Sequence, residues 1–178
     1  HLERLTKASR YFAYPFDPED LRQKIKEECQ ACDSHQDYRL RITLSKSGEL
    51  ELSRQILTPL SPSFCQAKLC LQEADLHQAF TYFKTTHRPH LSLGKQEIIY
   101  HNAVGELLET SIGNLVLKIA GKLYTPPISL GILPGIYRQH LLEIGQVEEK
   151  VLTLADLAQA EAVYGCNAVR GLYELEVI

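Results

Sequence analysis

Gly105-Glu106-Leu107-Leu108-Glu109-Thr110-Ser111-Ile112-Gly113-Asn114 is the stretch on which the reading of this chain turns. Two leucines lead into a glutamate at the end of a candidate strand, Glu106 to Thr110. If strand alternation holds, Leu107 and Glu109 share a face, and a carboxylate stands where an apolar side chain is expected. A buried carboxylate needs a partner, because unpaired burial is costly. A protonated pyridine-type nitrogen would serve. The bland alternative puts Glu109 on the exposed face, and the stretch alone favours it.

Two further segments flank this one. Upstream, Phe80 to Lys84 reads as an apolar strand ending in a lysine, followed by Thr85-Thr86-His87-Arg88. A lysine in a partly apolar site loses some of its preference for the charged form, which nucleophilic amine chemistry requires. Most strand-end lysines are simply solvated. Downstream, Gly131-Ile132-Leu133-Pro134-Gly135-Ile136-Tyr137-Arg138 runs glycines and a proline straight into a helix. Free N–H groups at a helix start suit an anion such as phosphate, although Gly/Pro loops before helices are common. Each segment is weak alone, and their combination and order carry the specificity.

The rest of the chain frames them. Leu2, Leu5, Ala8 and Phe12 recur at helical spacing up to Pro15, and Asp17-Pro18 opens a second helix on Leu21, Ile25 and Cys29. Tyr38 to Leu44 and Leu50 to Leu52 alternate around a Ser45–Gly48 turn, which predicts a hairpin. Phe64 to Leu71 reads as a strand. Residues 73–77 are polar and irregular, which places an interdomain connection there and divides the chain into 1–76 and 77–178. Beyond it come short strands at Glu97–His101, Glu106–Thr110, Leu115–Ala120, Ala162–Cys166 and Leu172–Ile178. Turns are expected at Asn102–Gly105 and Gly121-Lys122, and helices after Gly135 and after Thr153, where Thr153-Leu154-Ala155-Asp156 has capping-box form. The class is α+β, with a strand-rich second half.

Composition removes several functions. A net charge of -3 with no basic stripe gives no electrostatic case for nucleic acid. No apolar run approaches the roughly 20 residues that span a bilayer, and no charged leader precedes an apolar stretch, so a cytoplasmic protein is expected. The five cysteines suggest no disulfide framework. Cys29-Gln-Ala-Cys32 is a lone CxxC without a second ligand pair, and Cys29 continues the apolar spacing of Leu21 and Ile25, which suits a buried helix face. His87 and His90 sit three apart on loop, and His140 on a helix, so no metal is assigned. The chain contains no methionine and opens directly into a helical pattern, which reads as a start lying upstream.

Taken in order, Lys-Thr-Thr-x-Arg from Lys84, Glu-Thr-Ser-x-Gly-Asn from Glu109, Tyr-Thr-Pro-Pro from Tyr124, Gly-Ile-Leu-Pro-Gly-Ile-x-Arg from Gly131 and Asn-Ala-Val-Arg-Gly from Asn167 resemble the class IV aminotransferases. The opening His1-Leu2-Glu3-Arg4-Leu5 resembles a helix of the family's small domain. The resemblance implies a fold-type IV pyridoxal-phosphate enzyme: part of a small α/β N-terminal domain, then a larger strand-rich cofactor-binding domain. It implies that Lys84 carries pyridoxal 5'-phosphate and moves protons, that Glu109 pairs with the ring nitrogen, and that Leu133 packs on the ring. Gly135, Ile136 and Tyr137 would bind the phosphate through backbone amides, with Asn167 nearby. Ala168, Arg88 and Arg170 would meet substrate, the arginines as forks for carboxylates. The aminodeoxychorismate lyases stand nearest, including the form fused to a chorismate-aminating synthase. They imply conversion of 4-amino-4-deoxychorismate to 4-aminobenzoate and pyruvate by a homodimer acting on a small molecule. The alternatives are a branched-chain or D-amino-acid aminotransferase and a cofactor-free remnant. Two departures motivate the last: the family's phosphate-binding arginine would precede His1, and the stretch from Lys84 to Glu109 is short; Leu91, where the family commonly has tyrosine, is a third departure.

Overall fold

The computed structural model describes residues 1–72, 78–92 and 94–178. The interdomain connection expected at 73–77, and with it the boundary between 76 and 77, lies outside the described residues. Contacts divide the chain into two compact units, His1–Pro59 and Leu60–Ile178.

In the first unit, α1 (Leu2–Tyr11) is followed by α2 (Pro18–Gln30). The Asp17 side chain caps α2 by accepting the Glu19 N–H at 2.8 Å, and Pro18 occupies the first turn, where its missing N–H costs nothing. Leu21 is fully buried, but Cys29 is exposed, which corrects the expectation of a buried face running to Cys29. Eight residues along a helix of 3.6 per turn leave Cys29 rotated about 80° from Leu21. Strands β1 (Tyr38–Leu44) and β2 (Leu50–Ile56) form the expected hairpin, in register from Tyr38↔Ile56 to Leu44↔Leu50. Gly48 takes a φ of 89° in its turn, a value that favours glycine.

The second unit is built on β3 (Gln66–Leu71), α3 (Gln78–Tyr82), β4 (Glu97–His101), β5 (Leu107–Thr110), β6 (Asn114–Ile119), β7 (Lys122–Thr125), α4 (Ile136–Glu143), β8 (Glu148–Glu149), α5 (Leu154–Gln159), β9 (Ala162–Asn167) and β10 (Gly171–Val177). The sheet runs β5-β4-β3-β10-β9-β6-β7-β8, and a further β5–β6 pairing closes its first six strands into a ring. β3 lies parallel between β4 and β10, whereas β4–β5, β5–β6, β6–β9 and β9–β10 are antiparallel. Ala67, Ile99, Leu107, Leu115, Leu117, Val163, Tyr173 and Leu175 bring a buried side chain from each of these six strands into one cluster with Leu152. Burying one apolar side chain or more from every strand of the ring is what builds this cluster.

Three local expectations change. Residues 80–84 were expected as a strand, but α3 covers 78–82, and the Phe83 N–H reaches the Ala79 carbonyl at 3.0 Å. The aromatic and β-branched residues that favour strands are overruled by that helical turn, in which Ala79 and Thr81 are buried. The β6–β7 turn is Ala120-Gly121, both at positive φ, and Lys122 already belongs to β7, a strand the apolar pattern did not reveal. The third change concerns β5. Ile99 pairs with Thr110 and His101 with Leu107, so three residues of β4 face four of β5. This bulge breaks alternation: Leu107 joins the core, whereas Glu109 lies opposite Asn114 of β6. The bulge falls within the stretch whose alternation was expected to put Leu107 and Glu109 on one face.

Candidate active site

Glu109 is buried, its side chain only 4% exposed. Burial pushes its carboxyl up to about 7. The Arg88 guanidinium, the Leu133 N–H and the Lys84 ammonium each pull in the opposite direction, in that order of strength. Arg88 Nη2 stands 3.5 Å from Oε1, the far end of hydrogen-bond reach, and Arg88 Nε is buried with no partner among the described residues. The carboxyl is therefore held in a dry place by incomplete partners and shares its proton near neutrality. Such a group suits a protonated ring nitrogen.

Lys84 lies four residues before Arg88, just after α3. It is exposed, and its charge reaches Glu109. The loop it opens brings His90 inward: both ring nitrogens are buried without a partner among the described residues, and the imidazole is pushed down to about 4. Burial is the first cause, the charges of Arg88 and His87 the next.

Across the bulge, Asn114 Nδ2 donates to the Leu133 carbonyl at 2.8 Å, while Glu109 accepts the N–H of the same residue. Leu133 is buried, two residues before Gly135, the N-cap of α4. No side chain caps α4, so its first amides, those of Ile136 and Tyr137 among them, are left for an outside acceptor. A Cβ on Gly135 would collide with Asn114 Oδ1, so the absence of a side chain lets the helix start approach β6. Arg138, one turn in, is buried against the Pro126 carbonyl and Glu149 and braces the helix rather than facing a ligand.

Asn167 ends β9. Its side-chain oxygen accepts the N–H groups of Val169 and Arg170, both at 2.9 Å, and its amide reaches the Ile112 carbonyl at 3.4 Å. The turn it folds presents exposed Ala168 and half-buried Arg170. Gly171 beyond it lies by Tyr137 of α4, whose hydroxyl would be 3.5 Å from an added Cβ. Glu109, Leu133, Gly135, Tyr137 and Asn167 thus come together around the turn between β5 and β6, with Arg88 on Glu109. Ala168 and Arg170 stand at the rim. The residues that sequence reasoning left without a role are Ser111 and Asn114, both inside the decisive stretch, together with His90 and Glu97. A charged residue opening the apolar run Glu97-Ile98-Ile99-Tyr100 was the available signal for Glu97.

This arrangement fits pyridoxal phosphate in two respects: a buried carboxyl that shares its proton, and an uncapped helix start held beside it. Comparisons with known proteins agree with that chemistry. The chain is 30% identical over 119 residues to aminodeoxychorismate lyase of Saccharomyces cerevisiae, a match covering 52% of this chain and 32% of that protein. It is 32% identical over 100 residues to a Thermotoga maritima protein assigned as a branched-chain-amino-acid aminotransferase, covering 50% and 37%. These matches span about a third of the length of each curated relative. A solved structure from Mesorhizobium loti, assigned as an amino-acid aminotransferase, superposes with a TM-score of 0.84 at 26% identity, over 100% of this chain and 90% of that one. The family model for amino-transferase class IV matches residues 1–178, and the chain belongs to that family, the pyridoxal-phosphate-dependent enzymes of fold type IV.

Proposed function

We propose that this chain is the cofactor-bearing part of a lyase that converts 4-amino-4-deoxychorismate to 4-aminobenzoate and pyruvate, with Lys84 as the residue that carries the cofactor. The observation that carries the site is the dry Glu109 carboxyl, within reach of the charges of Arg88 and Lys84 and hydrogen-bonded to the Leu133 amide. The 30% identity to the yeast lyase supports the choice of reaction.

Bound here, pyridoxal phosphate supplies an electron sink for the charge left on the substrate carbon that bears nitrogen. Glu109 holds the ring nitrogen, Leu133 packs on the ring, and the amides of Ile136 and Tyr137 receive the phosphate beside Asn167. Lys84 takes the proton from the nitrogen-bearing carbon and returns one later, as general base and then general acid. Arg88 and Arg170 meet the substrate carboxylates near the Ala168 amide. The same reading includes a cytoplasmic homodimer, working with or fused to a chorismate-aminating synthase that makes the substrate.

The second reading is an aminotransferase, favoured by the Mesorhizobium loti structure. Incubation with 4-amino-4-deoxychorismate separates the two. The lyase forms 4-aminobenzoate and pyruvate with no added keto acid, whereas a need for 2-oxoglutarate, with glutamate formed, refutes it. Absorbance after adding pyridoxal phosphate tests the site itself: a band near the visible edge should appear and be lost in Lys84→Ala. A chain without that band is a cofactor-free remnant.

A further inference from the structure

Glu97 opens β4 and is fully buried although it carries a carboxyl group. Oε1 accepts the Ser111 backbone N–H at 2.9 Å and also the Ser111 hydroxyl. Oε2 accepts the phenol of Tyr173, on β10, at 3.0 Å. Burial, and secondarily the charge of Glu97, push the Tyr173 phenol upward, so it remains a donor. Room for that phenol comes from two glycines. A Cβ on Gly165 would run into the Tyr173 ring, and one on Gly113 would lie 3.1 Å from its oxygen and 2.5 Å from the Cys166 carbonyl.

Ser111 sits in the tight turn that joins β5 to β6. The Thr110 N–H reaches the Gly113 carbonyl at 2.9 Å, and the Gly113 N–H reaches the Thr110 hydroxyl at 3.1 Å. The residues on either side of this turn, Glu109 and Asn114, are directly opposite each other and hold the two peptide groups of Leu133. Two donors of one residue meeting one carboxylate oxygen is a directional arrangement. An apolar side chain of similar volume would fill the core as well without desolvating a charge. What the carboxylate adds is position.

We propose that Glu97 is a positioning residue for the cofactor site: by holding Ser111 it sets the β5–β6 turn, and through Glu109 and Asn114 it sets Leu133 and the start of α4. The proposal rests on the cofactor reading of Glu109 and α4, but Glu97 belongs to none of the groups that would touch the cofactor. Its contacts are Ser111, Tyr173 and, at 3.3 Å, the Ile98 N–H.

Glu97→Gln and Ser111→Ala, made in the full chain and checked for native circular dichroism, test this. The first readout is the titration of Glu109 in cofactor-free protein, followed by glutamate-labelled carbon NMR and assigned with Glu109→Gln. Both variants should lower the Glu109 midpoint by about one pH unit toward the ordinary carboxylate range, because a loosened turn admits water. The second readout is pyridoxal-phosphate affinity by absorbance titration, which should weaken about tenfold, a typical loss when an outer-shell partner of a bound group is removed. Ser111→Ala leaves the Glu97 carboxylate in place, so a shift in Glu97→Gln alone is a charge effect and overturns the proposal. Lower melting temperatures with unchanged midpoint and affinity overturn it as well, leaving Glu97 a core residue only. A midpoint shift in both variants, in a chain whose wild type binds no pyridoxal phosphate, supports the positioning role and removes the cofactor reading.

Discussion

Glu109 and Asn114 face each other across the β5–β6 pair and hold one residue between them: Asn114 takes the Leu133 carbonyl and Glu109 its N–H. A backbone position bound on both sides has little freedom. Leu133 leads into Gly135 within two residues, so this grip also fixes where α4 begins. The buried acid and the helix start are therefore linked through Leu133 rather than two features that happen to be close.

Glu109→Gln should change how stability depends on pH. In the cofactor-free chain Glu109 titrates near 7, against an ordinary carboxylate value in the unfolded chain. Between those values the folded state binds more protons, so stability is full below the unfolded value and falls as pH rises to about 7. The loss is on the order of 2–3 kcal/mol. Urea unfolding at pH 4.5 and pH 7.5 should show that difference in the wild type and not in Glu109→Gln. An equal slope in both proteins would place the titrating group elsewhere.

Gly135→Ala should cost about 1–3 kcal/mol, the range for forcing an extra carbon into a packed site. The φ of Gly135 is -70°, which any residue accepts, so the penalty comes from contact with Asn114 and not from backbone strain. Because Asn114 must move, its bond to Leu133 should weaken and pyridoxal-phosphate affinity should fall with stability. Urea midpoints and absorbance titration measure both. An unchanged midpoint would show that Asn114 turns aside freely.

His90→Leu should leave the protein at least as stable at pH 7. The ring nitrogens are buried without partners among the described residues, so removing them takes away a desolvation cost. The folded-state value is pushed down to about 4, so the unfolded chain takes up a proton first as pH falls below the ordinary histidine value. Wild-type stability should therefore drop across that window, and the variant should lose this part of the drop. Thermal melts between pH 4 and pH 7 decide it; a clear loss at pH 7 would reveal a partner for the imidazole.

The parts of this molecule legible in its sequence are those that local chemistry dictates. Asp17-Pro18 marks the start of α2, Thr153 and Asp156 form the reciprocal cap of α5, and Gly135 stands at the start of α4. The burial of Glu109 was not legible in its own stretch, which favoured exposure, and was expected only from the order of the flanking segments. A bulge adds a residue without changing composition, so period-2 counting passes over it, and only the pairing of β5 with both β4 and β6 reveals it. Glu97 and Ser111 are 14 residues apart, and Glu97 and Tyr173 are 76 apart. No window along the chain contains such pairs. The helix at 78–82 was missed for the opposite reason: its residues prefer strand, and a single helical turn overrides them.

The closure of six strands into a ring bears on how this protein avoids sticking to copies of itself. The outer side of β5 is taken by the Leu152 carbonyl, which accepts the Leu107 N–H at 2.7 Å, and by a bridge from Glu106 to Thr153. Past the ring, the sheet continues only through β7 to β8, two residues long, exposed and both glutamates. A strand that short and that acidic is a poor template for another chain to pair with. Among the described residues of this sheet, the strand that ends the run past the ring is thus one brief, charged lip.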